Sequence, residues 1–176
     1  MPGAESWFNV SFLRVKESLD GIQHQSFNTS EGQLVDVNSV PRPTDQLVSF
    51  SLYFQDYLPR NENFKVNFLL TYGTGLPFGI PEDNIVARNT YTYKDYTRVD
   101  MGLSLQMWNK DWKEQKPNHF LRGFDNAWLS LELFNMIGIA NVSSNTWVRT
   151  IFAQQFAVPN NLTNSCLLYT SPSPRD

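Results

Sequence analysis

Two carboxylates are the first candidates for chemistry in this sequence. Asp100 and Glu132 each sit in a stretch that alternates apolar and polar residues. A close carboxylate pair can cleave a glycoside, one group protonating the leaving oxygen while the other attacks or activates water. The competing expectation is structural: Asp100 and Glu132 pair with Arg98, Lys65 or Arg149 across neighbouring strands. That second reading is taken here, so no catalytic residue and no enzyme activity is expected. His24 and His119 are far apart in sequence, with no His/Cys/Asp cluster at ligand spacing. Neither a metal nor a cofactor is expected. There is no G-x-S-x-G elbow, P-loop or dinucleotide fingerprint.

The elements that would carry these residues read as strands. Six segments repeat with period two, which puts one side of each in an apolar setting and the other in a wet one. Phe8, Val10 and Phe12 oppose Asn9 and Ser11. Val48, Phe50, Leu52 and Phe54 oppose Ser49, Ser51, Tyr53 and Gln55. Phe64, Val66, Phe68 and Leu70 oppose Lys65, Asn67 and Thr71. Val99, Met101, Leu103, Leu105 and Met107 oppose Arg98, Asp100, Gly102, Ser104 and Gln106. Ala127, Leu129, Leu131 and Leu133 oppose Trp128, Ser130 and Glu132. The sixth segment is weaker, with Val148, Thr150, Phe152 and Phe156 against Arg149 and Gln154.

Composition agrees. Aromatics make up 14% of the 176 residues, which favours strands over helices. A net charge of −3 without clustered Lys/Arg excludes a nucleic-acid footprint. No apolar run approaches the ~18 residues of a spanning helix, and the N-terminus has neither the basic nor the apolar region of a signal peptide. Pro59 and Asn61 mark a short hairpin turn at 58–63. Residues 17–44 and 74–94 read as long irregular connections, and 110–124 as a charged loop. Trp7, Tyr57, Tyr72, Tyr96, Trp108 and Trp147 fall near strand ends, where a membrane barrel carries its aromatic girdles. Alternation leaves two coverings for the apolar faces: lipid, or a second protein layer as in a soluble β-sandwich or small-barrel carbohydrate-binding module.

Six stretches, in this order, resemble the C-terminal barrel of TonB-dependent outer-membrane receptors of the Bacteroidetes type. They are PRPTDQ at 41–46, FQDYLP at 54–59, YGTGLPFG at 72–79, YTRVDMG at 96–102, LELFNMIG at 131–138 and FAVPNNLT at 156–163. The resemblance implies an all-β antiparallel meander: about six of the last seven strands of a 22-stranded transmembrane β-barrel in the cell outer membrane. It implies lipid around the barrel, an N-terminal plug domain, energy supplied by TonB, and a nutrient ligand such as a siderophore, vitamin or glycan. Trp112, His119 and Arg122 are the candidate substrate-binding residues on an outer loop. Counting strands back from a last one that descends to the periplasm places 110–124, 158–164 and the 58–63 hairpin outside. The same count puts 17–44, 74–94 and 136–145 on the periplasmic side.

After Thr163 the family pattern implies a closing strand. Residues 166–176 read CLLYTSPSPRD instead, with the sequence's one cysteine, Cys166. They resemble the translation of a transposase-type sequencing adapter, with Ser165 at the junction. The expected organisation is therefore barrel over 1–165 and an artefactual tail over 166–176, the chain being a fragment at both ends.

Overall fold

The computed structural model describes residues 4–28, 30–81, 88–151, 154–162 and 165–174. The protein is all-β, and among the described residues there is no α-helix and no helix able to cross a membrane. Six strands form one antiparallel sheet: β1 (Glu5–Phe12), β6 (Val48–Leu58), β7 (Asn61–Gly73), β10 (Tyr96–Asn109), β11 (Phe124–Phe134) and β14 (Ser165–Pro174), in that order. Four short strands, β2 (Lys16–Glu17), β3 (His24–Asn28), β4 (Gln33–Val37) and β5 (Val40–Pro41), lie between β1 and β6. The bridge β8 (Pro77–Phe78) with β9 (Tyr91–Thr92) lies between β7 and β10. A separate hairpin, β12 (Asn141–Arg149) with β13 (Gln155–Leu162), lies between β11 and β14. Among the described residues the sheet does not close on itself: its order begins at β1 and ends at β14.

The register carries the period-two pattern into three dimensions. Phe54, Phe68, Met101 and Leu133 stand side by side across four strands, and Val66, Leu103, Leu131 and Leu168 form the adjacent row. Phe8, Leu52, Leu70 and Val99 form a third. Much of this face is open: Phe8 is 64% exposed, Phe54 46% and Leu103 38%. Among the described residues, charge enters its parity near the strand ends, at Asp56 and Glu62 toward the β6–β7 turn and at Asp125 at the start of β11. The opposite face is polar and internally bonded. Ser104 and Ser130 share a hydrogen bond of 2.8 Å, and the Tyr53 hydroxyl donates to Gln55 at 3.0 Å. Turn chemistry explains the tight β6–β7 hairpin, in which Leu58 faces Asn61. Pro59 presets the first turn position, and Arg60 takes the second at φ 67°.

Five of the six alternating segments are strands of the sheet. The sixth is not one strand. Arg149 ends β12, the Thr150 N–H donates to the Gln154 carbonyl at 2.9 Å, and β13 starts at Gln155. Phe152 lies outside the described residues. The chain therefore turns back there, and 158–162 does not reach the end of the sheet that holds 110–124; residues 163 and 164 lie outside the described residues. Residues 17–44, read as irregular, contain the β3–β4 hairpin and the β2–β5 bridge. The segment that resembles adapter translation, expected to stand apart, is the sheet's sixth strand: β14 pairs with β11 from Phe134↔Ser165 to Phe124↔Pro174.

The girdle expectation also changes. Of the six aromatics, Tyr72 shares the apolar face, stacked on Phe50 at 5.2 Å. Trp7 stacks on Tyr53 on the polar face, and Tyr57 and Tyr96 follow that same parity. Trp108 is fully buried with its indole N–H on the Phe124 carbonyl, displaced by the bulge after Gln106. Trp147 belongs to the separate hairpin.

Candidate functional site

The three longer connections all leave the same end of the sheet, and specific contacts tie them together. Glu17 accepts from Arg42 at 3.2 Å and forms an ion pair with Arg88 at 2.8 Å, joining the first connection to the second. The Asn89 amide donates to the Pro41 carbonyl at 2.9 Å across the same seam. Phe78 meets Trp147, linking the second connection to the third. Asn141 bonds both backbone groups of Thr97, which fastens the β12–β13 hairpin to the start of β10.

Between the first two connections lies an open cavity of about 440 Å³. Arg14, Lys16, Asp45, Asp95, Ser39 and Thr92 supply its polar wall. The two carboxylates have structural duties. Asp45 accepts the Val15 N–H at 2.7 Å. Asp95 accepts the Tyr72 hydroxyl at 2.7 Å and the Gly75 N–H at 3.0 Å. Those bonds, the Tyr72 hydroxyl first and the Gly75 amide second, hold Asp95 below the usual carboxylate range. Gly75 cannot be replaced freely, because a Cβ there would overlap the Tyr93 carbonyl oxygen. Among the described residues, Arg14 and Lys16 make no ion pair.

A smaller concavity of about 130 Å³ on the polar face is bordered by Asp100 and Glu132 with Tyr53 and Asn67. Each carboxylate has its own partner. Asp100 pairs with Arg98 at 2.7 Å and accepts the Asn135 N–H at 2.9 Å. Glu132 accepts the Tyr169 hydroxyl at 2.9 Å. The expected cross-strand ion pairs are therefore replaced. Arg98 meets Asp100 two residues along the same strand, where both side chains share a face. Lys65 stands over the rings of Tyr57 and Trp128, at 4.9 and 4.6 Å. Arg149 lies on the hairpin outside the sheet.

The sequence candidates Trp112, His119 and Arg122 occupy the loop between β10 and β11. Lys116 stands 4.9 Å from the Trp112 ring. His119 stacks on Trp108 at 4.8 Å while its Nδ1 accepts the Leu121 N–H at 3.3 Å. Arg122 donates to the Pro117 carbonyl at 3.1 Å. All three shape their own loop. They lie past the far end of the 14-residue β10 from Asp95, roughly 40 Å away at about 3.3 Å per residue. The residues around the larger cavity had no chemical signature in sequence. Among the described residues no group of three His, Cys, Asp or Glu side chains gathers closely enough to hold a metal. Comparison of the chain with protein-family models, with curated proteins and with solved structures finds no match in any of the three.

Proposed function

We infer that the chain forms consecutive strands of a TonB-dependent outer-membrane receptor, with its apolar face against lipid and its polar face toward the lumen. One observation carries this reading: a continuous apolar face, exposed across six long strands, opposite a face that holds Lys65, Arg98, Asp100 and Glu132. Burying a Leu, Met or Phe side chain gains about 1.5–3 kcal/mol, so a face of this extent calls for a cover. The main strands run from 8 to 14 residues, which brackets the ~9–11 needed to cross a bilayer at a tilt.

The connections support the same reading. Outer-membrane barrels keep short turns inside and long loops outside. Because the sixth alternating segment folds back as a hairpin, the connections that follow β1, β7 and β11 leave from one end of the sheet. In the proposed receptor that end is external, and the opposite end is periplasmic: it holds the Pro59–Arg60 turn and the β10–β11 loop, so Trp112, His119 and Arg122 leave the outer surface. This reverses the assignment that follows from counting the sixth segment as a crossing strand. β14 takes the place of the closing strand, and β1 and β14 need further strands beside them, because an open edge in hydrocarbon leaves N–H and C=O groups unsatisfied. The rival soluble module would bury the apolar face under a second sheet.

The test is fractionation of cells expressing the full-length protein. Recovery in the outer-membrane fraction, extraction only by detergent and heat-modifiable gel mobility are expected. A monodisperse protein in detergent-free buffer would overturn the reading.

A further inference from the structure

We propose that the cavity between the first and second connections binds a small hydroxylated organic anion, with Arg14 and Lys16 taking its oxyanion group. Its volume of about 440 Å³ lies within the ~300–1,000 Å³ common for ligand pockets. The two cations are presented together by a fixed piece of backbone. Asp45 holds the N–H of Val15, the residue between them. Arg14 and Lys16, one residue apart on either side of Val15, both line the cavity. Glu17 takes the guanidinium groups of Arg42 and Arg88. The neighbouring carboxylate is thereby committed away from the cavity.

The rest of the wall defines the remainder of the ligand. Asp45 and Asp95 line the cavity while bonding the Val15 N–H, the Gly75 N–H and the Tyr72 hydroxyl. They disfavour a bare anion and retain lone pairs that accept from hydroxyl groups. Ser39 and Thr92 add groups that donate or accept. The matching chemistry is one carboxylate or phosphate on a polyhydroxylated body. The wall is also cross-linked: the Gln46 amide donates to the Thr74 carbonyl at 3.0 Å, and the Val48 N–H donates to the Thr74 hydroxyl at 3.1 Å.

The inference goes beyond the lipid reading and is tested separately, by calorimetric titration of the full-length protein in detergent, or in buffer if it proves soluble. Gluconate, glucose and hexanoate are the probes. Gluconate is expected to bind about tenfold or more tightly than glucose, which lacks the charge, and than hexanoate, which lacks the hydroxyls. Raising salt should weaken gluconate alone among the first two. The double variant Arg14→Gln/Lys16→Gln should lose about tenfold or more in gluconate affinity with an unchanged melting profile, and Lys16→Arg should retain it. If the double variant fails to fold, the gluconate-to-glucose ratio and its salt dependence on the unaltered protein decide. No measurable gluconate binding, equal affinity for glucose, or an unchanged affinity in a folded double variant overturns the site. A membrane-extracted protein that ignores gluconate defeats this inference alone.

Discussion

Asn141 completes a strand pairing with its side chain: its Oδ1 accepts the Thr97 N–H at 2.9 Å and its Nδ2 donates to the Thr97 carbonyl at 2.8 Å. Both Asn141 groups are hidden, the residue being 1% exposed. Asn141→Leu strands a donor and an acceptor at the start of β10, and each unsatisfied buried group costs about 1–3 kcal/mol. The β12–β13 hairpin should detach. Amide exchange at Thr97 should accelerate by tenfold or more on that scale (about 1.4 kcal/mol per tenfold). Asn141→Asp keeps the acceptor and should fall between. Exchange measured by mass spectrometry on the two variants checks the order.

Gly75 and Gly102 both lie where a Cβ has no room, yet their substitutions should differ. At Gly102 the Cβ meets the Asn67 side chain, which can rotate away. At Gly75 it meets the Tyr93 backbone carbonyl, which is held in the second connection. Gly102→Ala should therefore cost about 1 kcal/mol and Gly75→Ala more than about 3, the low and high ends of overpacking. Limited proteolysis within 74–95 should rise sharply for Gly75→Ala only. Equal sensitivity would show that the Gly75 approach does not hold the connection.

Acid should loosen the same connection. Asp95 is held below the usual carboxylate range by the Tyr72 hydroxyl and the Gly75 N–H, so the folded state binds its proton more weakly than the unfolded one. The stabilising contribution is fully present above the unfolded pKa and is lost as pH falls through the lowered folded value. Tyr72→Phe removes the larger cause and should move the Asp95 titration up toward the ordinary carboxylate range. Asp95→Asn should abolish the pH dependence. Proteolysis of 74–95 followed against pH in the three proteins reads this directly. A Tyr72→Phe titration at the native position contradicts it.

Five strands were legible because each has one face in an apolar setting, and period two records that asymmetry residue by residue. The sixth segment misleads for a definite reason. Val148 and Phe156 are cross-strand partners in the β12–β13 hairpin, so they point to the same side. A turn whose ends keep parity looks, in sequence, like uninterrupted alternation. The short pairings inside 17–44 escaped because strands of two to five residues give period two too few repeats. The cavity was invisible for another reason: Val15 meets Asp45 thirty residues on, and Tyr72 meets Asp95 twenty-three on. Nothing local records such meetings. Asp45 was noticed within PRPTDQ as part of a motif, without its bond to Val15. Trp112, His119 and Arg122 were chosen by residue type, and His119 is occupied in stacking on Trp108 and bonding Leu121.

Whether the apolar face is covered at all can be decided with two neighbouring lysines. Leu103 stands mid-row between Val66 and Leu131, while Ser104 points to the polar face and bonds Ser130. Against lipid, Leu103→Lys should cost about 2–4 kcal/mol, the depth-dependent penalty near a bilayer midplane. Ser104→Lys should cost about 1 kcal/mol, the loss of one hydrogen bond. On an open surface in water both changes should stay near the surface norm of about 0.5 kcal/mol, plus that hydrogen bond for Ser104. The two readings therefore predict opposite orders. Yield of the full-length protein assembled in the outer membrane, with urea unfolding in lipid bilayers as the energy scale, compares them. Leu103→Lys as the more damaging change supports a covered apolar face, and fractionation then separates lipid from a second sheet; Ser104→Lys as the more damaging one removes both covers, because a low-dielectric cover makes an ammonium on that face costlier than a broken serine pair.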